Sequence, residues 1–191
     1  MAIFNSILVF TCIISLANTA FSATFCVSDA VEFQAALTTS ASNGEDDVVQ
    51  IEQGTYVGNF VYASTESNGV TIEGGYTIGC TSQLVDPVNT VLDGDTSGSV
   101  LALSAPDQSA VFQMEGVTLQ NGSASFNGGG GLYVKTNGGE LTLISNRITE
   151  NSTDDNGGGV YVDASTATMT ENIITGNSGF GSYGGSFGTI S

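Results

Sequence analysis

The chain contains no histidine and no tryptophan, and its only basic side chains are Lys135 and Arg147. Without histidine there can be no Ser-His-Asp or Cys-His nucleophile system. Catalytic zinc loses its most common ligand for the same reason. Two cations stand against 19 acidic residues, for a formal charge of −17. Such a surface repels nucleic acid and anionic membranes, so neither is an expected partner. Polyanionic sugars would need divalent cations as a bridge. Proline is nearly absent, at 2 residues, whereas glycine reaches 26, so turns here depend on glycine.

Long apolar runs are also missing, apart from one at the start. Residues 7–14 (ILVFTCII) are too few to cross a bilayer, and the small-x-small site Ala20, Phe21, Ser22 follows them. Residues 1–22 therefore read as a signal peptide cleaved before Ala23, although no Lys or Arg precedes the apolar run. The mature chain is expected to be exported, extracellular or at the cell surface or outer membrane, with no transmembrane segment. Cys12 leaves with the leader, and Cys26 and Cys80 remain. In an oxidising compartment these two are expected to bond, with two free buried thiols as the alternative. Closing a loop of about 54 residues stabilises a chain by roughly 4 kcal/mol.

Three stretches repeat one another: residues 112–119 (FQMEGVTL), 141–148 (LTLISNRI) and 167–174 (ATMTENII). Glycine-opened elements alternate with them at 130–133 (GGLY), 158–161 (GGVY) and 184–187 (GGSF). The interval is roughly 26 to 29 residues, which is the length of one turn of a stacked repeat built from short strands. The pattern predicts an all-β fold, a right-handed parallel β-helix (solenoid) of about five coils over residues 48–191. Each coil is expected to carry three short strands. Phe112, Leu141 and Ala167 should share one inward column. Met114, Leu143 and Met169 should share a second, and Leu119, Ile148 and Ile174 a third. Asn146 and Asn172 occupy one repeat position, with Val117 a coil earlier, and stacked amides there can form a ladder.

Residues 23–47 form an N-terminal segment containing the one clear helix, over 28–42. Asp29 and Glu32 make a capping pattern, Ala30, Phe33, Ala36 and Leu37 share a face, and Asn43 with Gly44 ends it. This helix is placed to cover the open end of the stack. Strands are predicted at 48–51, 53–56, 59–62, 70–72, 91–92 and 100–103, with turns at Asn68-Gly69, Gly74-Gly75, Asp93-Gly94 and Ser97-Gly98. Residues 81–87 (TSQLVDP) read as a loop inserted between coils. The chain stops inside a repeat, so it is expected to be the N-terminal part of a longer protein.

These residues resemble secreted bacterial right-handed parallel β-helix proteins of the pectin-lyase-like superfamily. The helix followed by residues 47–56 (DVVQIEQGTY) is similar to the usual entry into that fold. The paired GGLY/GGVY elements, with ITEN at 148–151 and ITGN at 174–177, are similar to the tandem motifs of polymorphic outer membrane proteins. The resemblance implies the fold rather than an activity, because this fold carries lyases, hydrolases, adhesins and inert stalks.

No catalytic set accompanies it. A β-helix lyase would use an Arg or Lys base, but Lys135 at a turn and Arg147 on an outward face read as solvated charges. Asp93 and Asp95 are the tempting carboxylate pair for glycoside hydrolysis, yet Asp-Gly is also an ordinary turn. Asp154 and Asp155, in an oxygen-rich loop, are the weak candidates for calcium, the one cofactor left open. Asn121 and Asn151 match a glycosylation sequon and read as turn sequences. The expected function is a structural or adhesion module binding extracellular carbohydrate or cell-surface protein. The alternative is a polysaccharide lyase or other carbohydrate-active enzyme whose catalytic residues lie in further coils.

Overall fold

The computed structural model describes residues 22–125 and 128–179. The predicted leader other than Ser22, the third glycine-opened element at 184–187 and the expected break inside a repeat lie outside these residues. The described residues are mostly β, with 48% strand and 9% helix, and among them the sheets are parallel with no barrel.

The described chain climbs through six layers. The first holds β1 (Thr24–Val27) and α1 (Ala30–Ser40). The second holds β2 (Asp47–Glu52), β3 (Gly54–Val57) and β4 (Phe60–Ala63). The third holds β5 (Val70–Tyr76), a single 3-10 turn at Ile78–Cys80, β6 (Thr90–Asp93) and β7 (Leu101–Ala105). The fourth holds β8 (Val111–Glu115), β9 (Thr118–Gln120), β10 (Ser123–Ala124) and β11 (Leu132–Thr136). The fifth holds β12 (Glu140–Ile144), β13 (Arg147–Thr149), β14 (Ser152–Thr153) and β15 (Val160–Asp163). The sixth holds β16 (Thr166–Thr170), β17 (Ile173–Thr175) and β18 (Ser178–Gly179).

Equivalent strands pair from layer to layer. The first sheet runs β1-β2-β5-β8-β12-β16, the second β3-β6-β9-β13-β17, the third β4-β7-β11-β15 and the fourth β10-β14-β18. Fourth-sheet strands make some layers four-stranded where three were expected. Alternation along each strand sends every second side chain inward. Leu119 stands in register with Ile148 and Ile148 with Ile174, and the column continues back through Leu92 to Tyr56. A second column is Val49, Ile72, Met114, Leu143 and Met169. These side chains, Ile174 excepted, belong to one continuous apolar core. Ile174, in the last described layer, is half exposed.

Corners between sheets are set by two polar devices. The Asn146 amide accepts from Val117 N–H at 3.0 Å and donates to Met114 O at 2.8 Å. Asn172 repeats this one layer on, accepting from Asn146 N–H at 2.9 Å and donating to Leu143 O at 2.8 Å. A second ladder, absent from the sequence expectations, joins Gly122, Asn151 and Asn177 in the same way. Beside each ladder the backbone takes positive φ: at Gly116, Ser145 and Glu171, and at Asn121, Glu150 and Gly176.

The predicted helix 28–42 is shorter, and its cap differs in one bond. Asp29 Oδ1 accepts from Val31 N and Glu32 N, but Glu32 turns back to Ser28 N. Phe33 and Leu37 enter the core, with the Phe33 ring 4.8 Å from that of Phe60. The turn expected at Gly74-Gly75 is instead strand. Here β5 continues to Tyr76, and its register against β2 shifts. Gly75 has φ +85, and a Cβ there would lie 2.1 Å from Leu84 O, so only glycine lets the inserted loop close against this strand.

Candidate functional site

Two outer surfaces depart from the repeating scaffold. The first is the solvent face of the third sheet. Odd positions of β11 point out, so Tyr133 and Lys135 stand in register with Tyr161 and Asp163 of β15. On the other side they meet Ala102 and Ser104 of β7. The Tyr133 and Tyr161 rings stack at 5.4 Å with an interplanar angle of 6°. Ala102 is small, and Val61 of β4 lies beyond it. The Tyr133 side chain therefore stands one strand away from the small side chain of Ala102. Burial pushes the Tyr133 hydroxyl up; nearby Lys135 opposes that, and Tyr161 and Asp163 reinforce it. The hydroxyl stays protonated and available as a donor.

The second surface is the insertion between β5 and β6. Cys80 is joined to Cys26 of β1, with Cα atoms 5.8 Å apart. Gly79 N–H donates to the Glu52 carboxylate, Leu84 N–H to Gly75 O at 3.0 Å, and Thr118 Oγ1 to Pro87 O at 2.7 Å. Although tied at these points, the loop holds Ile78 at 86%, Leu84 at 62% and Val88 at 62% exposure. Beside it opens a cleft of about 490 Å³ lined by Glu52, Gln53, Tyr76, Thr77, Ile78 and Thr81. Tyr76 donates to Glu73 at 2.6 Å and accepts from Gln50 at 2.9 Å. Burial first, then the bond to Glu73, pushes its hydroxyl up to about 12.

The predicted catalytic candidates are not brought together. Lys135 is in strand β11 rather than at a turn, because its inward neighbours Val134 and Thr136 complete the third-sheet column; Arg147 is in β13 of the second sheet. Asp93 is a structural acceptor. Burial works to raise its carboxyl, but bonds from Gln120, Asp95 N–H and Asn121 outweigh this and leave it below its ordinary value. Its Oδ2 takes both Gln120 Nε2 at 2.7 Å and Asn121 Nδ2 at 2.9 Å, and Oδ1 takes Asp95 N–H at 3.0 Å. A general acid needs the opposite shift. Asp155 accepts from its neighbour Asn156, and Asp154 is exposed. Among the described residues, the metal-ligating group drawn together is Cys26, Glu52 and Cys80. Its two sulfurs are bonded to each other.

Of the sequons, Asn151 is 1% exposed and lies inside a ladder. No described helix is long and apolar enough to cross a membrane. The tyrosine stack was readable from the sequence, since Tyr133 and Tyr161 end the repeated GGLY and GGVY elements. Compared with protein-family models, curated proteins and solved structures, the chain finds no match in any of the three.

Proposed function

We propose that the protein is an exported right-handed parallel β-helix of about five coils, capped by α1, that serves as a structural and adhesion module at the cell surface. The reading groups it with secreted pectin-lyase-like proteins, whose repeats its own resemble. The observation that carries it is the outward Tyr133–Tyr161 stack beside the small side chain of Ala102. Aromatic faces take the C–H face of a sugar ring, and hydroxyls at their rim fix its orientation. A charge of −17 favours neutral glycans over uronates. The stapled loop, with Ile78, Leu84 and Val88 in solvent, suits a protein contact on the same module.

Gel retardation in soluble xylan, mixed β-glucan or polygalacturonate tests the reading. Retardation by a neutral glycan is expected, and Tyr133→Ala should weaken it about tenfold. No retardation in either neutral glycan, together with no binding to cells, would overturn the adhesive role.

A further inference from the structure

Asp47 occupies a place that later layers reserve for apolar side chains. It opens β2 and lies in register with Val70, which is followed along the column by Phe112, Leu141 and Ala167. The residue is 1% exposed. Two donors reach its carboxylate: Asn43 Nδ2 to Oδ2 at 2.7 Å, and the backbone nitrogen of Ala23 to Oδ1 at 2.8 Å. In an uncut chain neither donor is charged. Buried charges in proteins are as a rule paired with an opposite charge. The two basic side chains of the sequence sit on later layers, in β11 and β13.

Ala23 is also the residue that the predicted leader cleavage would free. We propose that hydrolysis of the Ser22–Ala23 bond supplies the missing cation. The new α-ammonium of Ala23 pairs with Asp47 and fastens β1 to the stack. Water adds across the peptide bond. Ser22 leaves with the carboxylate, and the Ala23 nitrogen keeps the electrons of the broken bond and takes up protons. The catalyst is a leader peptidase of the export machinery, and Ser22 is exposed to it.

The nitrogen is already in position. Val48 N–H donates to Ala23 O at 2.9 Å, and Thr24 then enters register with Val48. An ammonium there makes a charge-assisted bond, stronger than the amide it replaces. Processing thus ties β1 at both ends, through Ala23–Asp47 at one and Cys26–Cys80 at the other. The inference rests on the export reading above, and the experiment separates the two.

The full chain, leader included, is expressed in an exporting host, and the N-terminal mass of the product is measured. Acetylation of its α-amine is then timed in native and urea-unfolded protein, beside Asp47→Asn and a version with one glycine added before Ala23. The expected terminus is Ala23, labelled about tenfold more slowly when native. Both altered proteins should label at the unfolded rate. The glycine-extended protein keeps Asp47 and tests the pairing even if Asp47→Asn does not fold. An uncut terminus at Met1 overturns the export reading, and a cut at any other bond overturns the pairing. An Ala23 terminus that labels equally fast in the native and glycine-extended proteins overturns the pairing alone.

Discussion

The side-chain amide of Gln34 binds the backbone of Val61 as a neighbouring strand would. Nε2 donates to Val61 O at 2.8 Å, and Val61 N–H donates to Oε1 at 2.9 Å. Val61 lies in β4, the edge strand of the third sheet. An uncovered edge is a template for pairing with another chain. One helical residue therefore satisfies both backbone groups that an added strand would otherwise take. Gln34→Ala is expected to cost about 1–2 kcal/mol in urea unfolding. It should also raise the aggregation rate, measured by light scattering, which Thr39→Ala on the same helix, whose hydroxyl bonds only Ala35 O, should not do.

The amide ladders should dominate the cost of polar substitutions. Asn151→Ala strands Gly122 N–H and Leu119 O, which its amide serves at 2.8 and 3.1 Å. A loss of roughly 2–3 kcal/mol is expected. Thr168→Ala, on an exposed outer position of β16, should stay within about 0.5 kcal/mol. Equal losses for the two in chemical denaturation would remove the ladder from the account.

Glu150 holds φ +57 at the corner where the next layer has Gly176 at φ +68. A side chain in that region costs about 1 kcal/mol, while glycine loosens the unfolded chain by somewhat less. Glu150→Gly should therefore leave stability unchanged or raise it by up to roughly 0.5 kcal/mol, against the usual penalty for glycine in a strand-rich segment. A clear drop in melting temperature would contradict this.

Alkaline stability should follow two tyrosines. Burial first, then Glu52, Asp29 and Glu32, pushes Tyr56 up to about 12, and Tyr76 reaches about 12 through burial and Glu73. A raised folded value means that the folded state holds the proton more tightly. The contribution is complete below pH 10, the ordinary value, and fades as pH rises toward 12. Tyr76→Phe should flatten the loss of stability over that window, as read by circular dichroism in urea at stepped pH. An unchanged slope would argue against the buried hydroxyl.

The columns were legible because aliphatic spacing alone sets them: Leu119, Ile148 and Ile174 needed no partner beyond one another. The Asn151–Asn177 ladder repeats the spacing of Asn146 and Asn172, but a sequon and a turn composition concealed it. Gly74 and Gly75 were misread because their role depends on a remote loop, where the Leu84 carbonyl would meet a side chain. Asp47 was hardest to read. An acid at a strand start suggests solvent, and the donors beside it in space, the Ala23 nitrogen and Asn43 Nδ2, explain why it faces inward.

Each middle layer presents to the layer above what it receives from the layer below. Asn146 takes the Val117 N–H, and Asn172 takes that of Asn146. The same grammar holds for Leu119, Ile148 and Ile174. A gene encoding such a chain can gain or lose a whole unit by unequal recombination, and the flanking units would still meet compatible faces. The length of the stack is then an evolvable quantity, adjustable in steps of one strand spacing, about 4.8 Å.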